Sequence, residues 1–155
     1  MDALGTYVAF TDKAGVDRGI NVQNFHAEQT RTVLGRDFLY GAFGYTGAVV
    51  DIDAANLEAS LVFGAAEVWL SVAQQATDEE WLAKIWTIWL DPDTLAETSD
   101  MLSEVYAVTS WVSNLSEVIL TLSSPLDAQR AELPARVLSR KIVGDLPPSG
   151  NVEFL

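Results

Sequence analysis

The sequence contains no cysteine and a single histidine, and its 22 acidic side chains outnumber its 9 basic ones. Without cysteine the chain can form no disulfide, no thiolate metal site and no cysteine nucleophile. The formal net charge of −13 opposes binding to nucleic-acid phosphates, because such binding depends on Lys and Arg displacing counterions. We therefore expect no specific nucleic-acid binding, and the sequence suggests no cofactor and no metal site.

Long hydrophobic runs are also missing, although 49% of the residues are hydrophobic. Polar residues such as Lys84, Thr87 and Asp91 interrupt every stretch that approaches the length of a membrane span. The N-terminus has Asp2 where a secretory signal would place positive charge. These patterns predict neither membrane insertion nor export by a signal peptide.

The charge is unevenly distributed along a chain whose 155 residues match one ordinary domain. Between Asp37 and Asp127 there are 15 acidic residues and one basic residue, Lys84. Four of the nine basic residues lie near the C-terminus: Arg130, Arg136, Arg140 and Lys141. The pattern fits either a solvated acidic surface or a polarised molecule whose basic end meets an acidic surface.

The hydrophobic pattern is mostly that of strands. Alternating apolar residues predict an opening strand at GTYVAFTD and a strand at AKIWTIWLD that is at least partly covered on both faces. MLSEVYAVTSW and LSEVILTLSSP predict a hairpin joined at Val112-Ser113-Asn114, and RVLSRKIV predicts a last strand. The apolar spacing of Val68, Trp69, Val72 and Ala73 predicts a helix over 65–75. Thr77 and Glu80 have the spacing of a capping box for a second helical turn over 78–82.

Catalytic signals are weak. His26 has no nucleophile motif near it, and GAFGYTG lacks the G-K-[ST] of a P-loop and the G-x-G-x-x-G of a dinucleotide site. The glycines of GAFGYTG favour tight turns or close strand approach. Asp51 and Asp53 share one face of a predicted strand, an arrangement that suits a hard cation or paired acid and base roles, but simple strand alternation also produces it. We therefore predict that the protein is not an enzyme.

One resemblance extends over roughly 38–140. A strand at EASLVFG, the predicted helix, a strand at LAKIWTIWLD and the predicted hairpin lead to a break at Ser123-Ser124-Pro125-Leu126-Asp127 and a restart at Leu133-Pro134-Ala135-Arg136. This succession resembles the phage tail-tip proteins typified by minor tail protein L of phage lambda. Proteins of that type continue into a cysteine-rich region that looks like an iron–sulfur site. Since this sequence has no cysteine, no cluster is carried over.

The resemblance implies a fold and a role. The expected fold is mainly β with one or two short helices, a small antiparallel β-barrel or sandwich of the phage tail-hub type. The expected domains are 1–143, a β-rich tail-tip or hub-adaptor domain, and 144–155, an extended C-terminal arm. The implied function is structural: a ring in a tail tip or baseplate that connects the tail tube or distal tail ring to the central hub around the DNA channel. The protein would be assembled in the host cytoplasm and located in the virion.

The implied partners are copies of this chain, with three favoured over six, and other tail proteins. DNA would pass through the ring without being bound. The expected subunit-interface residues are Pro125, Leu126, Leu133, Pro134, Arg136, Arg140, Lys141 and Phe154. The expected channel-facing acidic residues are Asp91, Asp93, Glu97, Asp100 and Glu104.

Two other functions remain open from the sequence. A small-ligand-binding β-barrel would use the tryptophan-rich strands to line a pocket. A carboxylate-dependent hydrolase would use Asp51 and Asp53.

Overall fold

The computed structural model describes residues 3–26, 29–47 and 58–125. Strands make up 61% of these residues and there is one helix, so the prediction of a mainly-β fold is confirmed. The elements are β1 (Ala3–Thr11), β2 (Asp17–Gln23), β3 (Arg31–Val33), β4 (Arg36–Tyr40), β5 (Phe43–Thr46), β6 (Glu58–Gly64), α1 (Glu67–Asp78), β7 (Leu82–Leu90), β8 (Glu97–Ser113) and β9 (Glu117–Ser123). No helix in these ranges is long and apolar enough to span a membrane.

The nine strands form one open sheet in the order β3-β4-β2-β1-β7-β8-β9-β6-β5. The sheet is mixed, whereas the sequence suggested an antiparallel one, because β4 runs parallel to β2. The direction of β4 follows from the β3–β4 hairpin. The turn residues of this hairpin, Leu34 and Gly35, both have positive φ, which is the conformation of a tight two-residue hairpin. The hairpin reverses the chain once more before β4 joins β2.

The sheet is strongly curved. Only Gly41 and Ala42 separate β4 from β5, yet these strands are seven positions apart in the sheet order. A flat sheet would place them about 34 Å apart at about 4.8 Å per strand, and three Cα–Cα steps reach about 11 Å. The two ends of the sheet must therefore curl towards each other, although the described strands do not close it into a barrel.

Gly41 lies at the point where the ends approach. A Cβ atom on Gly41 would lie 3.4 Å from Val22 Cγ1 and 3.6 Å from the Trp69 ring. Its backbone N–H donates to the Gln23 carbonyl at 2.9 Å. The expected role of these glycines in close strand approach is thus observed at Gly41.

Both faces of β7 contain buried residues, as the sequence predicted for AKIWTIWLD. On β7, Ile85 and Ile88 point to opposite faces and are 0% and 2% exposed. The helix-side cluster contains Ile85 together with residues of β1, β6, β9 and α1, and it is the larger core. The hairpin-side cluster consists of Tyr7, Ala9, Val33, Phe38 and Ile88, with Trp86 packed against it.

The helix α1 covers the larger core. Its buried residues are Val72, Ala73 and Ala76, and the Trp69 ring stacks on Phe63 at a centroid distance of 4.1 Å. Val68, predicted on the apolar face, is 60% exposed instead. Its position falls outside the narrower stripe that runs from Trp69 to Ala76.

The predicted second helical turn is wrong. The helix continues through Asp78, and the Thr77 hydroxyl donates back to the Ala73 carbonyl at 2.9 Å rather than capping a new turn. Buried Ala76 extends the apolar stripe of Val72 and Ala73 past residue 75, so the helix continues to pack against the core where the sequence suggested a break. Leu82 then begins β7.

The predicted β8–β9 hairpin is confirmed, with antiparallel register through Ser113 and Val118. Val118, Leu120 and Leu122 face the helix-side cluster with at most 1% exposure, as their alternation predicted. β9 ends at Ser123, so the ladder stops where Ser-Ser-Pro predicted a break. The predicted strand RVLSRKIV lies outside the described residues.

Candidate interaction surface

β8 is much longer than its neighbour β9, with 17 residues against 7. β7 pairs with β8 from Glu97 to Ala107, whereas β9 pairs with it only from Ala107 to Ser113. Within the described part of the chain, residues 98–105 of β8 therefore have a strand on one side only. This stretch, which we call the open half of β8, also carries two of the five predicted channel-facing acids.

One hydrogen bond shows in which direction the main-chain N–H and C=O groups of the open half point. The Val108 N–H donates to the Trp81 carbonyl at 2.9 Å, on the β7 side. Since the bonding direction alternates along a strand, Met101, Ser103 and Val105 direct their N–H and C=O groups away from β7. Exposed strand edges of this kind are templates for pairing with another strand.

Apolar side chains flank this edge. Met101, Leu102 and Val105 are 47%, 51% and 41% exposed. Trp89 and its cross-strand partner Leu4 are also exposed, at 40% and 47%. Trp89 is thus at the surface, although it lies on the strand AKIWTIWLD that the sequence predicted to be covered, while Trp81 is buried with 1% exposure.

Glu97 lies at the start of β8 and is held by two partners. Arg31 donates to both carboxylate oxygens at 2.8–3.1 Å, and the Tyr7 hydroxyl donates to Oε1 at 2.9 Å. Burial raises the pKa of Glu97, but hydrogen bonds from its own N–H, Arg31 and Tyr7, and the charge of Arg31, outweigh this and hold the pKa below its ordinary value. Burial, followed by the hydrogen bond to Glu97, raises the pKa of Tyr7.

Glu104 has a different environment. It pairs with Ile85 across the ladder and so points to the helix side, where Tyr45 and Tyr106 donate to its two oxygens at 2.8 and 2.9 Å. Burial, followed by hydrogen bonds with Tyr106 and Glu104, raises the pKa of Tyr45. Within the described ranges no Lys or Arg forms an ion pair with Glu104.

Of the other three predicted channel-facing residues, Asp93 and Asp100 are exposed and Asp91 is half-buried. Asp91 closes the turn between β7 and β8, where its Oδ1 accepts hydrogen bonds from the Thr94 N–H, the Thr94 hydroxyl and the Asp93 N–H at 2.8–3.0 Å. These bonds, led by the one from the Thr94 backbone, lower the pKa of Asp91. Asp93 lies in the same turn and Asp100 on β8. The structure therefore spreads the five acids over a turn and both sheet faces.

Of the predicted interface residues, Pro125 is described, and it is half-buried two residues after the end of β9. Leu126, Leu133, Pro134, Arg136, Arg140, Lys141 and Phe154 lie outside the described residues. Their predicted role at a subunit interface stays a prediction.

The residues considered for catalysis do not come together in the described structure. His26 packs edge-on against Phe25 at 4.8 Å, and its buried Nε2 has no hydrogen-bond partner among the described residues. Burial, followed by the charge of Arg31, lowers the pKa of His26. Asp51 and Asp53 lie outside the described residues. In the ranges that are described, no three His, Cys, Asp or Glu side chains are grouped as a metal site would require.

A shallow groove of about 420 Å³ lies where β5, β6 and the start of β9 meet the end of β4. Tyr40, Phe43, Val62 and Glu117 contribute to its lining. It is open to solvent and of mixed polarity, unlike the enclosed apolar pockets that usually hold small ligands.

Sequence reasoning missed Arg31, Tyr7 and Tyr45 as partners of the β8 acids. Glu104 and Tyr106 are two apart on one strand, so alternation alone would have placed them on one face. Arg31 and Tyr45 are separated from their carboxylates by 66 and 59 residues, and no local pattern links them. The chain matches no protein-family model and no curated protein.

Proposed function

We propose that this protein is a structural component of a bacteriophage tail tip or baseplate, a ring that connects the tail tube or distal tail ring to the central hub. The observation that carries the proposal is the succession of β7, the β8–β9 hairpin, the break at Ser123-Ser124-Pro125 and the restart at Leu133-Pro134. The finer fold that we propose is a small β-barrel of the tail-hub type. The curl that brings β4 next to β5 supports it.

Two further observations support a structural role around DNA. The chain is strongly acidic, with a net charge of −13, and acidic surfaces let a polyanion pass without binding. The open half of β8 offers an apolar strand edge that no other described strand pairs with, which is a feature of association surfaces rather than of isolated domains. We propose a homo-oligomer of three copies rather than six, in contact with other tail proteins and located in the virion.

Co-assembly tests the proposal most directly. The chain is co-expressed with the products of its neighbouring reading frames, and the particles are examined by native mass spectrometry and electron microscopy. We expect rings with three copies of this chain bound to a tube or hub protein. One copy per particle, or no association with any neighbouring product, would contradict the proposal.

The acidic residues give a second test. Replacing exposed Asp93 and Asp100 with Lys should leave ring assembly intact and slow DNA ejection from tails. A matched control is Asp12→Lys, which changes the charge by the same amount per site on the β1–β2 turn. Equal ejection rates for both variants would place Asp93 and Asp100 on the outer surface.

The arm 144–155 gives a third test. Deleting it should leave a protein with the circular dichroism spectrum and thermal midpoint of the full chain, while tails fail to complete. Phe154→Ala in the full chain should weaken the same docking step, because buried aromatic side chains often dominate interfaces. Normal tails with both variants would mean that the arm has no docking role.

The groove beside Phe43 and Val62 is the one observation that favours the small-ligand alternative. Saturable binding of an apolar dye by the monomer, lost in Val62→Asp, would support that alternative. We expect no saturable binding.

A further inference from the structure

The open half of β8 is a place for one more strand. Its neighbour β9 runs antiparallel to β8 and stops at Ser123, opposite Ala107. A straight continuation of β9 would have covered residues 98–105 of β8. The sequence prevents it, because Pro125 follows two residues after Ser123 and proline has no N–H to donate to a ladder.

The segment Arg136–Val143 has the properties of the missing strand. Its sequence RVLSRKIV alternates so that Arg136, Leu138, Arg140 and Ile142 share one face. The helix-side face of the open half carries Leu102 beside Glu104, a half-buried carboxylate that pairs with no cation among the described residues. Asp100 adds a second negative charge on this strand. Apolar and charged positions therefore complement each other.

We propose that Arg136–Val143 of one copy adds as a strand to the open half of β8 of a second copy. Each chain then offers one open edge and one strand, and the contact is head-to-tail, so it closes into a ring when the rotation allows it. Main-chain hydrogen bonds from Met101, Ser103 and Val105 hold the strand, and Arg140 lies against Glu104 or Asp100. This inference deepens the proposed function and rests on it for the ring.

The break at Ser123-Ser124-Pro125 favours addition to a second copy over addition to the same copy. A chain that filled its own edge would need no interruption, since β9 already points along that edge. Instead Pro125 lacks the N–H that continued pairing with β8 would need, and Pro134 precedes the restart. Among the described residues the edge stays open where a continuation of β9 would have covered it.

The absence of native cysteine allows a clean cross-linking test. Ser103→Cys protein is mixed with Ser139→Cys protein at high concentration and treated with a short bismaleimide, and cross-linked peptides are identified by mass spectrometry. We expect dimers that join position 103 of one chain to position 139 of the other. The matched control is Thr109→Cys with Ser139→Cys, because exposed Thr109 lies where β9 already covers β8.

The double variant Ser103→Cys/Ser139→Cys separates the alternatives. Cross-links within one chain would overturn the proposal in favour of addition to the same copy. No 103–139 product above the Thr109 control would overturn strand addition altogether. Either result leaves the tail proposal to be judged by co-assembly. Conversely, a 103–139 product between chains, combined with a failure of the chain to associate with any neighbouring gene product in the co-assembly experiment, would support strand addition and contradict the tail proposal alone.

Hydrogen exchange gives an independent readout. The amides of Met101, Ser103 and Val105 should be protected at high concentration and lose protection on dilution, because dilution dissociates copies. Ser139→Pro should abolish the protection at every concentration, while amides of β1 and β7 keep theirs. Protection that is independent of concentration would contradict pairing between copies.

Discussion

Glu97 and Glu104 are seven residues apart on the same strand, yet different kinds of partner stabilise their carboxylates. Glu97 on the hairpin side has a cation, Arg31, within 2.8 Å. Glu104 on the helix side has two phenols and, within the described residues, no cation. The two faces of the sheet thus differ in how they hold charge as well as in the size of their cores. Each face can be tested separately with matched substitutions.

The largest expected effect compares Ile85→Ala with Ile88→Ala. These isoleucines lie on one strand, are almost fully buried and face opposite clusters. Such truncations lower the free energy of unfolding by about 2–5 kcal/mol. We expect a loss near the upper end of this range for Ile85→Ala, because the surrounding core cannot collapse into the cavity. The loss for Ile88→Ala should be near the lower end, since the β3–β4 hairpin can shift to pack against the smaller side chain. Urea unfolding measures both variants. A larger loss of free energy of unfolding for Ile88→Ala would mean that the hairpin-side cluster contributes more to stability than the helix-side cluster.

Glu97→Gln should lower the free energy of unfolding by about 1–3 kcal/mol, because it leaves the partly buried Arg31 without its charge partner. Asp93→Asn is the control, since it removes one negative charge from an exposed turn and should change stability by less than about 0.5 kcal/mol. Thermal and urea unfolding at neutral pH measure both variants. Equal effects would mean that Glu97 and Arg31 contribute no more than a surface pair.

The pH dependence of the same variant has a definite sign. The folded-state pKa of Glu97 is lowered, so its stabilisation is present above the unfolded-state pKa, about 4.3, and is lost as the pH falls through the folded-state pKa. The difference in stability between the native protein and Glu97→Gln should therefore be constant near neutral pH and shrink in acid. A difference that grows in acid would contradict the lowered pKa.

Glu104→Gln should have the smallest effect, less than about 1 kcal/mol in either direction. The amide keeps one acceptor for Tyr45 or Tyr106, and the substitution removes a half-buried charge that has no cation among the described residues. The same unfolding experiments measure it. A loss as large as that of Glu97→Gln would show that two phenols stabilise a carboxylate as well as an arginine does.

Strand alternation predicted much of the fold but little of the charge arrangement. β1, β7 and β9 were recognisable because their apolar residues alternate, and Pro125 marked the end of β9. The start of β8 at Glu97 was missed, since its first residues are polar and pair with β7 through a bulge. The contacts of Arg31 with Glu97 and of Tyr45 with Glu104 depend on the curl of the sheet, which no short window of sequence contains.

The central position of β1 has a consequence for synthesis of the chain. β1 is synthesised before its neighbour β7, which begins only at Leu82. Until then the apolar faces of β1 have β2 on one side and no strand on the other, and the long separation makes closure slow. An emerging chain that ended at Gly64 would hold an incomplete sheet prone to association. Truncated versions of the N-terminal half should therefore be insoluble, and folding should begin only after β7 has left the ribosome.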